Sequence, residues 1–271
     1  MKRIINILIT LVLVAGVVYL FVFSNMKQRE VICKEFVIDI DYAGAPQLVK
    51  TYSIRNEITA AGIRIKGQPI EYLQAKKLRK LLNNNPYVSK ATVSVSVNGV
   101  VKASVLQRNP LVRIIDQNFN QCIIDHDGYI MPVSSEFPVR LIVANGNIPD
   151  LKLSKLPVSG SDEFVSSFNA PKVRRKRPLP RELNEIYKIA LELEKDTITT
   201  ALVEQIYINS SKEIELIPKL GDQSIIFGDT TALSEKMDNL KIFYSEGMKN
   251  MAWNNYKTIN LKYKNQVVCS K

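Results

Sequence analysis

The stretch Ala91 to Val105, ATVSVSVNGVVKASV, reads as two strands joined by a tight turn. Ala91, Val93 and Val95 alternate with Thr92, Ser94 and Ser96. Beyond Asn98-Gly99, Val101, Ala103 and Val105 alternate with Lys102 and Ser104, the period of half-buried strands. Asn-Gly favours a two-residue type I′ turn. That register would set Val95 opposite Lys102 and Val93 opposite Ser104, mixing the two faces. A three-residue loop, Val97-Asn98-Gly99 with Gly99 left-handed in a G1 bulge, pairs Val95 with Val101, Val93 with Ala103 and Ala91 with Val105. Face parity therefore predicts the bulged hairpin.

Upstream, Phe36, Ile38 and Ile40 alternate with Asp39 and Asp41 in a strand that stops at Ala43-Gly44. A helix is expected around Tyr52 to Ala61. A second is expected to begin at Pro69, carry Tyr72, Ala75, Leu78 and Leu82 on one stripe, and stop at Asn85-Pro86. Strand, two helices and hairpin, roughly Cys33 to Ile114, make a small α+β unit with its helices on one sheet face.

From residue 115 to 271 the pattern is mainly strands, expected to form an antiparallel β domain. Cys122 to Ile124 meets Tyr129 to Pro132 through Asp125-His126-Asp127-Gly128, and Val139–Val143, Val203–Ile208, Glu213–Leu220 and Ser224–Phe227 follow. Two amphipathic helices, Pro180 to Lys195 and Ala232 to Met251, are expected to pack on the sheet. Near the carboxy terminus, Ile259, Leu261 and Tyr263 alternate with Asn260, Lys262 and Lys264. Tyr256 to Val268 is therefore expected to be the last strand and a sheet edge, whose unpaired N–H and C=O groups template an added strand.

Ile4 to Phe23 is a run of twenty residues without a charge, long enough at about 1.5 Å per residue to cross a hydrocarbon core. No small-x-small cleavage site follows it, which favours a retained transmembrane helix over a signal peptide. Residues 1–3 are then a short cytoplasmic tail and the body lies outside the cytoplasm. The formal net charge of +11 would suggest nucleic acid in a cytosolic protein. Across a membrane, the expected counterparts are anionic lipid or acidic protein, and no nucleic acid. Cys33, Cys122 and Cys269 are too few and too scattered for a disulfide framework and read as small apolar fillers.

In chain order these pieces resemble the FtsQ/DivIB family of bacterial cell-division proteins over nearly the whole length. Asn85-Pro86-Tyr87-Val88, the hairpin and Arg108-Asn109-Pro110-Leu111-Val112 resemble the second half of that family's POTRA domain. Asp125-His126-Asp127-Gly128 stands where its β domain opens. Ile217-Pro218-Lys219-Leu220-Gly221, Phe227-Gly228-Asp229 and the run from Tyr256 to Asn265 resemble its carboxy-terminal half. The resemblance implies a non-enzymatic, single-pass scaffold of the cytoplasmic membrane, concentrated at the division septum. It implies FtsB-like and FtsL-like partners, bound by strand addition at Ile259, Asn260, Leu261, Lys262, Tyr263, Lys264 and Asn265. The family's aromatic near the end of its last strand has no counterpart, Lys271 standing about there.

No nucleophile-base pair, Gly-rich phosphate loop or metal-ligand spacing is visible, so neither catalysis nor a cofactor is expected. DHDG lacks the alternating acids, sixth-position Gly and twelfth-position Glu of a calcium loop, so Asp125 and Asp127 read as turn residues. Tyr263 fits either a core or an interface. Lys172-Val173-Arg174-Arg175-Lys176-Arg177, between Pro171 and Pro178, fits two roles: a solvated loop, or a contact for anionic lipid or an acidic partner. The competing readings are a membrane-anchored envelope enzyme, which needs a carboxylate pair in a cleft, and a POTRA-bearing transport component, which needs further repeats or a barrel.

Overall fold

In the computed structural model, which describes residues 11–19, 31–134, 138–150, 179–247 and 256–271, the hairpin has the register that parity requires. Val95 pairs with Val101, Val93 with Ala103 and Ala91 with Val105. Ser96 N–H donates to Val100 O at 2.8 Å and Gly99 N–H to Ser96 O at 3.1 Å, closing a three-residue loop in which Gly99 has φ +88°. A side chain there is excluded twice, because a Cβ would also stand 2.6 Å from Ile32 O.

The chain divides into two units, Met1–Asp41 with Val49–Gln107 and Tyr42–Leu48 with Arg108–Lys271. In the first, β1 (Glu35–Asp41), α2 (Thr51–Ala60), α3 (Ala75–Asn84), β2 (Val88–Val95) and β3 (Val100–Gln107) give a sheet of order β1-β3-β2, with β1 parallel to β3. Val101, Ala103 and Val105 point to the buried face, as do Ile54 and Ile58 of α2 and Leu78 and Leu82 of α3. Asn83 fixes the edge of β2 by hydrogen bonds to both the N–H and the C=O of Ala91, at 2.9 and 3.1 Å.

The second helix starts later than its apolar spacing suggests. Pro69 opens a 3₁₀ turn, Ile70–Tyr72, and the α-helix begins at Ala75. Tyr72 is therefore exposed, and Leu73 takes the buried place.

Glu57 is a cost in this unit at neutral pH. Burial raises its carboxyl to about 7, against the lowering effect of the Asn85 Nδ2 hydrogen bond at 2.9 Å. Between the ordinary value of 4.5 and about 7 the folded chain holds a proton that the unfolded chain has released, so stability falls as pH rises through that window. At about 1.4 kcal/mol per pH unit the loss is at most about 3.5 kcal/mol, less where water screens this half-buried group. Glu57→Gln keeps an acceptor for Asn85 and is expected to flatten the dependence. Melting temperatures at pH 5 and pH 8 check this, and a wild type with no pH-dependent loss contradicts it.

The second unit is a nine-stranded sheet of order β12-β11-β10-β9-β8-β7-β4-β5-β6. The strands are β4 (Pro110–Ile115), β5 (Gln121–Asp125), β6 (Ile130–Pro132), β7 (Ile142–Gly146), β8 (Val203–Ile208), β9 (Ile214–Pro218), β10 (Ser224–Gly228), β11 (Thr258–Asn260) and β12 (Val268–Ser270). Antiparallel neighbours predominate, but β4–β7, β7–β8 and β10–β11 are parallel. The first unit ends before the expected Ile114, because β4 pairs with β5 and β7. The strand expected at Val139–Val143 starts three residues later, where β4 and β8 supply partners on both sides.

α4 (Arg181–Glu194) and α6 (Leu233–Ile242) correspond to the two expected packing helices, with α5 (Thr197–Leu202) as a short addition. Leu183, Ile186, Ile189 and Leu193 of α4 join Met237 and Leu240 of α6 in one core with Ile206, Leu216, Ile225 and Phe227. α6 gives way to a π-turn at Phe243–Gly247, so the expected single helix is interrupted, and residues 248–251 lie outside the described residues.

The DHDG turn is a structural joint. Asp125 is buried, its Oδ1 accepting from the N–H of Asp127 and Tyr129 and its Oδ2 from Arg108 Nη1 at 2.9 Å. The guanidinium also lies 4.0 Å from the centre of the Tyr129 ring. His126 contributes Nδ1 toward Asn109 O and Nε2 toward Glu194, and Tyr187 donates to His126 O at 2.7 Å. Among the described residues no group of His, Cys, Asp and Glu has the arrangement of a metal site. The three cysteines are unpaired; Cys33 and Cys122 are buried, and burial raises the Cys122 thiol to about 12, which keeps it protonated.

Of the expected membrane span, only residues 11–19 are described, as an exposed helix, α1. Among the described residues no helix is long and apolar enough to cross a membrane. The Lys172–Arg177 run lies outside the described residues.

Candidate partner-binding edge

The carboxy-terminal end of the second unit's sheet is built on β10. Ser224, Ile225 and Ile226 pair in parallel with Thr258, Ile259 and Asn260 of β11, and Leu261 N–H extends the ladder to Ile226 O at 2.9 Å. β10 is held at its far end by Lys236, a buried lysine of α6. Its Nζ reaches Phe227 O at 3.1 Å, Asp229 O at 2.9 Å and Asp229 Oδ1 at 3.0 Å. Three acceptors around one ammonium group compensate its loss of water. Hydrogen bonds from Thr231 and Lys236 hold the Asp229 carboxyl down at about 2.

The last strand differs from its expected form. Instead of running from Tyr256 to Val268, it is a short hairpin. β11 ends at Asn260, and β12 folds back antiparallel, pairing Thr258 with Ser270, Ile259 with Cys269 and Asn260 with Val268. The side of β11 that was expected to be free is thus covered by the chain's own β12. The local cause is Asn260, whose Oδ1 accepts the N–H of Lys262 at 3.0 Å and takes it out of any ladder. Asn265, at φ +58°, then sits in the turn.

The seven expected site residues accordingly separate into three groups. Ile259 and Leu261 are buried in the core. Asn260 lies in β11 and shapes the turn. Lys262, Tyr263, Lys264 and Asn265 lie beyond the strand and are exposed, Tyr263 at 51%. Lys262 pairs with Glu213, a hydrogen bond that raises its pKa, and its stem crosses Gly228, where a Cβ would meet Lys262 Cγ at 2.8 Å.

The free edge moves outward to β12. Lys257 C=O and Leu261 N–H are used by β10. Alternation along β11 then turns Thr258 and Asn260 toward β12, and their partners Ser270 and Val268 back toward β11. Cys269 lies between them, so its N–H and C=O face away from the sheet. Among the described residues nothing pairs with that side of β12. Sequence reading missed this strand because Val268, Cys269 and Ser270 are too few to display a period.

A cavity of about 500 Å³ lies near this edge, lined by Arg181, Glu182, Glu213, Asp229, Lys236 and Lys262 among others. Its ion pairs include Arg181–Glu185, Lys236–Asp229 and Lys262–Glu213. Asp229 is shifted down, the opposite of what a general acid needs.

Residues 109–270 match the model of the FtsQ/DivIB, C-terminal related domain. The chain belongs to the FtsQ/DivIB family. Residues 31–106 match a POTRA-like domain, the first unit described above. A search of curated proteins finds no significant match. FtsQ/DivIB membership makes this a cell-division protein and a division-related membrane protein.

Proposed function

We propose that this FtsQ/DivIB protein is a non-enzymatic scaffold of the septal division machinery, held in the cytoplasmic membrane by residues 4–23 with its body extracytoplasmic. Its second unit binds FtsB-like and FtsL-like partners by strand addition at the carboxy-terminal edge. The observation that carries this reading is the outward side of β12, where Cys269 presents an N–H and a C=O at the end of a nine-stranded sheet. An unpaired edge recruits a strand through main-chain hydrogen bonds and leaves specificity to nearby side chains. Exposed Tyr263 and Lys264 lie in the β11–β12 turn and can supply it.

Affinity capture from solubilised membranes tests the partners: the intact chain is expected to retain FtsB-like and FtsL-like proteins, and a chain that retains neither refutes the reading. Protease treatment of spheroplasts tests topology independently. The carboxy-terminal unit is expected to be digested, and full protection places the body on the wrong side of the membrane.

A further inference from the structure

The first unit presents one end that is unlike the rest of it. Where the chain joins this unit, residues 31–34 are tied to two other segments. Ile70 N–H donates to Val31 O at 2.9 Å, Cys33 N–H to Gln68 O at 2.8 Å and Gly67 N–H to Cys33 O at 2.8 Å, which fixes the loop before α3. Lys34 N–H donates to Gly99 O at 2.9 Å, which fixes the tip of the β2–β3 hairpin. Three large apolar side chains are brought to this end and left in solvent: Ile32 is 51% exposed, Tyr72 71% and Val97 75%. Single exposed apolar residues need no explanation, but three gathered at one end and exposed among the described residues mark a contact surface. Around them stand exposed Lys34, Lys66 and Lys76, with exposed Arg64 in the same loop, against the single exposed acid Glu35 among the described side chains of these segments.

Chain length decides what this end meets. Only residues 24–30 separate the apolar run ending at Phe23 from Val31, and seven residues span at most about 25 Å. On the reading that residues 4–23 are a membrane anchor, the end of the unit to which residue 31 is bound is the end nearest the bilayer. We infer that this end rests on the membrane surface, with Val97, Ile32 and Tyr72 at the headgroup level and the surrounding basic side chains on anionic phospholipid. Tyrosine suits the interface because it joins an apolar ring to a polar tip, and lysine stems lie along apolar surface while their ammonium groups reach phosphate. The hairpin bulge has a use in this arrangement: it projects Val97 outward while Gly99 lets the tip close on Ile32.

The experiment uses the full chain in vesicles of phosphatidylglycerol and phosphatidylcholine with brominated acyl chains. The single tryptophan is removed by Trp253→Phe. A reporter is introduced as Val97→Trp or, at the opposite end of the unit beside Val49, as Tyr52→Trp. Both positions are exposed, and melting temperature confirms that each variant folds. Val97→Trp fluorescence is expected to fall by about half as the ring enters the interface, while Tyr52→Trp is unchanged. Adding Lys34→Glu and Lys66→Glu is expected to remove most of the quenching. Omitting phosphatidylglycerol is expected to weaken it. A chain that co-floats with vesicles through carbonate washing but shows equal quenching at the two positions overturns the membrane-resting end and leaves the anchor standing; that end then faces a protein or solvent. A chain that does not co-float overturns both.

Discussion

Asp125→Ala is expected to destabilise the second unit by about 3–5 kcal/mol, the cost of removing one partner from a buried ion pair. Arg108 would keep its charge inside the fold after losing the Asp125 carboxylate, and the N–H groups of Asp127 and Tyr129 would lose their common acceptor. Melting should drop by about 10 °C for a unit of this size. Asp125→Asn keeps one acceptor oxygen for the turn and is expected to fall between the two. Replacing both partners, Arg108→Met with Asp125→Leu, is expected to cost less than the sum of the single changes, because no uncompensated charge remains. An Asp125→Ala protein within about 1 kcal/mol of wild type would show that water reaches the pair and that the turn is held elsewhere.

The same turn shows what a sequence discloses. Asp-His-Asp-Gly is legible as a turn because each residue type has a local reason to be there, and the hairpin register is legible because one face must stay apolar. Local and short-range constraints were enough for both. Arg108 as the counter-ion of Asp125 was not legible, since nothing in either segment specifies which distant cation fills the site. β11 ends at Asn260, short of the expected strand, for a related reason. Apolar alternation at Ile259 and Leu261 reports which face is buried, and both are buried, but it does not report where the hydrogen-bond ladder stops. The period continues to Tyr263 in the sequence, but Tyr263 is an exposed turn residue beyond the strand. The available signal was chemical: Asn260 and Asn265 are side chains that compete with a ladder or accept a left-handed backbone, and both do so here. Pro69 opens a 3₁₀ turn and not the expected α-helix, which begins at Ala75, and that turn displaces Tyr72 from the buried stripe.

Moving the free edge from β11 to β12 changes which substitution tests partner binding. Lys262→Pro, suggested by a continuous strand, removes an N–H that Asn260 already holds and so disturbs the turn rather than the edge. Cys269→Pro removes the one N–H that alternation directs outward, while the inward bonds of Val268 and Ser270 to β11 remain available. Losing one hydrogen bond and adding a ring against the incoming strand costs about 1–3 kcal/mol, so capture of an FtsB-like partner should fall about ten-fold or more. Cys269→Ala retains the N–H and is expected to capture normally, which separates the backbone from the thiol. Tyr263→Ala leaves the ladder intact and is expected to cost about 2 kcal/mol if the exposed ring is an anchor for the partner. Truncation after Val267 distinguishes the two possible acceptor strands. If the partner adds outside β12, truncation abolishes capture. If the partner instead replaces β12, truncation uncovers β11 and capture rises. The geometry favours the first, because β12 shields Thr258 and Asn260 and leaves Cys269 open. Wild-type capture by a folded Cys269→Pro protein would refute strand addition outside β12, and unchanged capture after truncation as well would refute strand addition at this edge altogether.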